Sequence, residues 1–310
     1  MTVVPVYTGE YRVEKGAGYD ASNLKGSSVI VTGGASGIGE EMTKAFVEAG
    51  AFVTIGDFNV ENGERVAKQY SSEQVTFVPT NVTVWEDQVN LFKTAIDRSP
   101  SRSLDIVVSN AGISGKDPVW WDESEFDGEP IEPDLKILKT NLHGCLYTSK
   151  LALHYLTRQP NDPNKDRCLI LMSSIAGYCE QPGAPTYGAS KHGIRGVMQS
   201  LRRTIHTRDM RVNLLAPWYI QTPALPKASA EMLTSKGVKF ALASDAAKAT
   251  IHIASDRKLN GRCLTIVPRD EDPRGYMDME HDDFPEGDFA AEWQKTMIIA
   301  SHRAVSKDRQ

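Results

Sequence analysis

Several features that define protein classes are missing from this 310-residue sequence. No stretch approaches the ~18 consecutive apolar residues of a membrane-spanning helix, so no span is expected. Cysteine is scarce. Its four positions (Cys145, Cys168, Cys179 and Cys263) form no Cys-x-x-Cys pair, which excludes a disulfide scaffold and a thiolate zinc site. A basic surplus is absent as well, with 35 Lys and Arg against 40 Asp and Glu for a net charge of −5. Nucleic acids and anionic membranes need a concentrated basic surface, so neither is expected as a partner. His143, His154, His192 and His206 stand singly, without a second ligand at a recognisable spacing, and no metal site is expected. Met1 to Lys15 lacks the basic-then-apolar layout of a secretory signal. With so few cysteines, the expected location is a reducing, cytoplasmic one.

What is present is a globular composition, 40% hydrophobic and 24% charged. From Ser27 onward, short β-branched runs alternate with amphipathic stretches. Strands are expected at Ser28–Thr32, Ala51–Ile55, Val75–Val78, Leu104–Val108, Cys168–Met172, Val212–Leu215 and Arg262–Val267. Helices are expected at Ile38–Glu48, Val60–Gln69, Trp85–Ile96, Asp134–Thr157, Pro185–Thr207 and Ser244–Ala254. Strands of four to six apolar residues separated by helices read as βαβ units, giving an α/β fold with a single doubly wound parallel sheet of Rossmann type, helices on both faces. Residues 1–25 read as a polar N-terminal extension, 26–268 as the main domain and 269–310 as an acidic C-terminal extension. Asp270 to Asp288 holds nine acids and one base, Arg274, and reads as a solvated tail or lid. Beyond it, Phe289 to Ala304 spaces Phe289, Trp293, Met297 and Ile298 for one helical face that docks on the body or on a neighbouring subunit.

The first strand ends in Thr32-Gly-Gly-Ala-Ser-Gly-Ile-Gly39 and runs into a helix. Gly33, Gly37 and Gly39 let a pyrophosphate approach the main chain, with Ser36 and Ile38 beside them at the helix start. A glycine turn alone is equally a tight structural turn. Its place between the first strand and first helix of a βαβ unit favours a dinucleotide. Asp57 ends the second strand, 20 residues after Gly37, where a carboxylate accepts from the ribose hydroxyls and repels a 2′-phosphate. Its neighbours are Phe58 and Asn59, with no Arg or Lys beside them. NAD is therefore expected over NADP, the alternative being a helix-capping Asp.

Met172-Ser-Ser-Ile-Ala-Gly177 precedes Tyr187-Gly-Ala-Ser-Lys191. Tyr187 and Lys191, four apart on a helix, share one face. A free phenol, with a pKa of about 10, is a poor base at neutral pH, and a nearby ammonium favours the phenolate. Tyr187 could then exchange a proton with an alcohol or ketone oxygen held from the other side by Ser174. Taken singly, a Tyr and Lys at this spacing are surface residues, and a Ser pair after a strand is a helix cap.

The whole set, in order, resembles the short-chain dehydrogenase/reductase family over roughly residues 25–268. The resemblance is carried by Thr32–Gly39, Ser109-Asn-Ala-Gly112, Asn141, Ser174 and Tyr187-x-x-x-Lys191. It implies a hydride-transferring oxidoreductase, NAD-dependent by the Asp57 argument, with Tyr187 as general acid/base and Ser174 orienting the substrate oxygen. Lys191 would hydrogen-bond the nicotinamide ribose and tune Tyr187, and Asn141 would hold a water that completes a proton relay, or else pin its helix. Asn81 and Val82 would sit by the adenine, and Asn110, Ala111 and Gly112 would line the adenosine side of the groove. Pro217, Trp218, Ile220 and Thr222 would border the nicotinamide. Two departures stand out: Ser109, where the family often has Asn, and Trp218, where it usually has Gly. The indole either lines the pocket or anchors its loop.

Ser114, Tyr178, Cys179, Gln181, Trp218, Tyr219 and Leu225 are the expected substrate pocket, with Trp120 and Trp121 as a rim or a subunit contact. That lining, without an Arg clamp, suits a lipophilic secondary alcohol or ketone, aromatic or polyketide-like, rather than a sugar phosphate. The resemblance further implies a homodimer or homotetramer built on the 134–157 and Tyr187 helices. Competing readings are an NADPH-dependent ketone reductase, and a cofactor-binding protein whose pocket serves non-redox chemistry or scaffolding.

Overall fold

Ser28–Thr32 is buried along its whole length, as a strand is only when both faces of its sheet are covered. It forms β1. The other strands are β2 (Phe52–Asp57), β3 (Val75–Pro79), β4 (Ile106–Ser109), β5 (Cys168–Met172), β6 (Arg211–Pro217), β7 (Cys263–Ile266) and β8 (Tyr276–Asp278). The computed structural model describes Val4 and residues 7–120, 128–160, 162, 165–223 and 225–301, so the expected rim residue Trp121 lies outside the described residues. The sheet order is β3-β2-β1-β4-β5-β6-β7-β8. All neighbours are parallel except β8, which runs antiparallel to β7.

The helices are α1 (Gly37–Glu48), α2 (Val60–Ala67), α3 (Trp85–Arg98), α4 (Lys136–Leu138), α5 (Gly144–Thr157), α6 (Pro185–Leu201), α7 (Lys227–Ser235), α8 (Ala243–Ser255) and α9 (Phe289–Ala300), and a π turn at Lys139–His143 joins α4 to α5. Strand alternation divides the core in two. Val29 and Val31 pack with Met42 and Phe46 of α1 and Ala246 of α8. Ile30 faces the other way, towards Leu91 of α3, Leu151 of α5 and Ile194 of α6. This is the expected doubly wound sheet. Its order reverses between β1 and β4, and that switch point opens a crevice at the carboxyl ends of the strands. No helix among the described residues is long and apolar enough to cross a membrane, and no group of three potential metal ligands occurs among them.

The chain ends depart from expectation. The acidic segment is in part built into the body: β8 completes the sheet, and Asp278, Asp282 and Asp283 are paired with basic side chains of the body. Arg262 donates to both oxygens of Asp278, Nη2 at 2.5 Å and Nε at 3.0 Å. Arg195 binds Asp282 at 2.7 Å and Arg202 binds Asp283 at 3.3 Å. The N-terminal residues join the same network, with Tyr7 donating to Asp283 and the Val13 amide to Asp278. Residues of both terminal segments thus pack on the body formed by residues 26–268. The physical reason is that Arg195 and Arg202, two helical turns apart, offer the acids partners the linear sequence does not display. Helix α9, expected to dock on the body or on a neighbouring subunit, buries no residue on this body and presents Phe289, Trp293, Met297 and Ile299 outward.

Candidate active site

The turn after β1 is shaped by glycine. Gly37 has φ +53°, and a Cβ on Gly39 would sit 2.0 Å from the Gly33 carbonyl oxygen, so no other residue fits there. Asn110 Nδ2 donates to Thr32 O at 2.9 Å and Gly33 O at 3.1 Å, and the Ala111 amide donates to Thr32 Oγ1. The loops after β1 and β4 are thereby stitched into one wall. Ser36 caps α1 with its side chain uncommitted, and the first N–H groups of α1 have no helical acceptor. A Cβ on Gly37 would lie 3.3 Å from Thr222 Cβ, so the loop after β6 folds over this cradle. An open cradle, a free cap hydroxyl and unpaired amides fit a pyrophosphate.

Asp57 accepts from the Ala35 amide at 3.0 Å and the Asn59 amide at 2.9 Å. The helix-cap alternative fails, because Asn59 caps α2. Each Asp57 oxygen retains acceptor capacity for a ribose hydroxyl. The expectation of no basic group nearby needs correction. Arg65, brought in by α2, donates to Ala35 O at 3.2 Å, while its guanidinium is held by Glu40 at 2.7 and 2.8 Å. Phe58 is exposed at the cradle's edge. Asn81 uses Oδ1 to close its own turn on Thr83, and Val82 packs on Gly144.

Across the crevice, α6 carries Tyr187 and Lys191. Lys191 is 4% exposed, donates to Met172 O at 3.1 Å, and lies 5.5 Å from the centroid of the Tyr187 ring. A Cβ on Gly112 would fall 3.3 Å from Asn141 Oδ1 and 3.6 Å from Lys191 Nζ, which brings those three residues together. Burial pulls Lys191 down to about 8. It pushes the Tyr187 phenol up, against a hydrogen bond to Ser174 that lowers it. In the protein alone the balance on Tyr187 is therefore upward, because burial outweighs the contact with Ser174. Asn141 makes three side-chain hydrogen bonds. It accepts from the Ile113 amide at 2.8 Å and donates to Ile113 O at 2.9 Å and Ser190 Oγ at 3.2 Å. Its side chain pins the β4 loop to α6, and its Oδ1, which accepts one bond, keeps acceptor capacity.

Residues 27–256 match the family profile described as short chain dehydrogenase. The chain belongs to the short-chain dehydrogenase family. Among relatives, the dehydrogenase is 38% identical over 279 residues to a 5′-hydroxyaverantin dehydrogenase of Dothistroma septosporum, covering 85% of this chain and 90% of that one. It is 31% identical to an NADP-dependent dehydrogenase M3 of a Phoma species, over 81% and 78% of the two chains. A crystal structure of 3-hydroxyacyl-CoA dehydrogenase type-2 from Mycobacterium avium superposes with a TM-score of 0.68 at 26% identity, covering 77% of this chain and 94% of the other.

The dehydrogenase brings only part of the expected substrate pocket to Tyr187. Tyr219 stands close enough to push the Tyr187 pKa further up. Trp218 meets Tyr219 edge-on, centroids 5.0 Å apart, and donates its indole N–H to Lys239 O at 3.0 Å, a contact that ties the loop after β6 to the segment before α8. Pro217 ends β6, and Ile220 bridges to Ala241 beside that contact. Ser114, Cys179 and Gln181 are exposed on loops, and Leu225 is half-buried, its amide donating to Thr222 O at 2.9 Å. Tyr178 does not serve the pocket: its hydroxyl donates to Asp282 at 2.6 Å, and Arg195 covers its ring at 4.0 Å. Trp120 rests against Gly183 and borders a surface hollow of about 340 Å³ with Ile131 and Ile137. Sequence reasoning missed two residues, Arg65 and Asp117, because each reaches its partners from a separate segment.

Proposed function

We propose that the dehydrogenase interconverts a lipophilic secondary alcohol and its ketone with NAD as cofactor. The supporting observation is the Tyr187 phenol, which interacts with Ser174 and has the buried Lys191 amine 5.5 Å from its ring centroid, on one chain with the glycine cradle. Bound nicotinamide supplies the hydride donor or acceptor. Ser174 holds the substrate oxygen, and Tyr187 gives or takes its proton. Lys191 fixes the ribose edge and the phenol from below, while Gly33, Ser36, Gly37, Ile38 and Gly39 hold the phosphates. Asp57 takes the adenosine ribose, and Asn81, Val82, Asn110, Ala111 and Gly112 line that side.

NAD is favoured by charge. A 2′-phosphate would meet the Asp57 carboxylate, and Glu40 already occupies Arg65. Like-charge juxtaposition costs a few kcal/mol, so NADH should bind about 30-fold more tightly than NADPH. The test is fluorescence titration with both, then nicotinamide absorbance with lipophilic secondary alcohols and ketones, including the polyketide type that the relative's name suggests. Turnover of small charged substrates alone would reject the substrate class. Tighter NADPH binding would favour the ketone-reductase reading, to which the NADP-dependent relative lends support.

The same reading includes a cytoplasmic location, consistent with free thiols at all four cysteines. It also includes a homodimer or homotetramer, since Leu146 of α5 is exposed beside half-buried Leu142 and Leu153. Light scattering at micromolar concentration should return two or four times the 34.1 kDa chain mass, and monomer mass would contradict the assembly.

A further inference from the structure

Helix α6 starts badly by its own sequence. Its N-cap is Ala184, which has no side-chain acceptor, and Pro185 follows at the first helical position. The next two amides, of Thr186 and Tyr187, would be left without partners. They are met from another segment. Asp117, in the loop after β4 and 5% exposed, accepts from Thr186 N at 2.7 Å, from Thr186 Oγ1 at 2.5 Å and from Tyr187 N at 3.4 Å, all through Oδ2. Its Oδ1 accepts from Val119 N at 3.1 Å and holds its own loop in shape. Burial pushes this carboxyl up, but the hydrogen bonds outweigh it and keep the group charged below the usual range.

The same loop is fastened to the turn of Tyr187 a second time. Asn141 grips Ile113 and donates to Ser190 Oγ, and that hydroxyl donates to Tyr187 O at 2.7 Å. The main chain of Tyr187 is thus held on both sides, its amide by Asp117 and its carbonyl through Ser190. A phenol displaced by about 1 Å can lose roughly 100-fold in rate, so such a clamp matters to the reaction.

We propose that Asp117 is a positioning residue, a cap supplied from the cofactor-groove loop that fixes the Tyr187 phenol on α6. It faces the helix amides and not the substrate. The inference rests on the proposed role of Tyr187. It also accounts for a residue that sequence reasoning passed over, since Asp117 and Thr186 are 69 residues apart.

The test compares Asp117→Ala with Asp117→Asn in the full-length protein. The Ala variant should lose about 10- to 100-fold in kcat, with the dinucleotide Kd within about twofold because the glycine cradle is untouched. The Asn variant keeps an acceptor for the Thr186 amide and should recover kcat to within about fivefold of wild type. Equal kcat in all three proteins, or an equal loss in Ala and Asn, would overturn the proposal. Hydrogen exchange at residues 186–189 needs no substrate, so it separates this inference from the hydride-transfer reading. Lost protection there in the Ala variant, with core strands unchanged, supports the cap even if no alcohol is ever turned over. Full protection overturns it. A variant that fails to fold is replaced by Thr186→Val, which removes one of the donors and should lower kcat about twofold to fivefold while dinucleotide affinity stays unchanged; unaltered kcat there would count against the clamp.

Discussion

Replacing Tyr187 by Phe is expected to lower kcat by about 10²–10⁴-fold while dinucleotide affinity stays within about twofold. The ring would remain where α6 puts it, over Lys191, and the cradle contacts would be unaffected, so only the proton-exchanging oxygen is lost. Single-turnover absorbance with NADH and a ketone, set beside equilibrium binding, separates the two quantities. Retained turnover would remove the phenol from the mechanism. Lost turnover together with lost cofactor binding would mean the ring is structural. The pH dependence has a definite sign. Burial holds the phenol above its ordinary value in the free protein, so alcohol oxidation, which needs the phenolate, should accelerate as pH rises through the neutral range. Lys191 works against this above about 8, where it loses its charge. In folding, that depressed lysine binds fewer protons than its unfolded counterpart between about 8 and its ordinary value. Its contribution to stability therefore grows with pH across that window.

The parts of the molecule legible in its sequence are those whose signal is local. Val29, Ile30 and Val31 announce a strand covered on both faces, and the glycines after them announce the cradle. Tyr187 and Lys191 declare a shared face through helical spacing alone. What stayed hidden depends on partners far along the chain. The carboxylate of Asp117 gains meaning only when α6 arrives without a cap of its own. Arg65 reaches Ala35 only once α2 is folded back along the sheet, and Glu40 then claims it. The acidic run misleads for the same reason: of its nine acids, Asp278, Asp282 and Asp283 look solvated until Arg195, Arg202 and Arg262 are placed beneath them. Trp218 could not be decided from sequence because both roles demand an aromatic ring. Its N–H bond to Lys239 O, 21 residues away, is not displayed in the linear sequence.

The largest stability effect is expected at Arg262. Its guanidinium and the Asp278 carboxylate are each about 97% removed from solvent, and Asp278 also accepts from the amides of Val13 and Glu280. Arg262→Met leaves that carboxylate buried without its counter-charge, which should cost about 3–5 kcal/mol of unfolding free energy. The loss would fall on β8 and the N-terminal segment together, because one carboxylate ties both to β7. Adding Asp278→Asn should restore a substantial part of it. The carboxamide needs no counter-charge, and its oxygen can still accept the Val13 amide. Urea unfolding of wild type, single and double variants gives the three free energies directly. A closing lid would behave otherwise: a single Arg262→Met change would leave the unfolding midpoint in place and raise KM alone. If that result were obtained, the β8 segment would be an accessory to the pocket. A drop in stability with partial rescue makes it the eighth strand of the sheet in energetic as well as geometric terms, and places the acidic residues in the fold rather than in solvent.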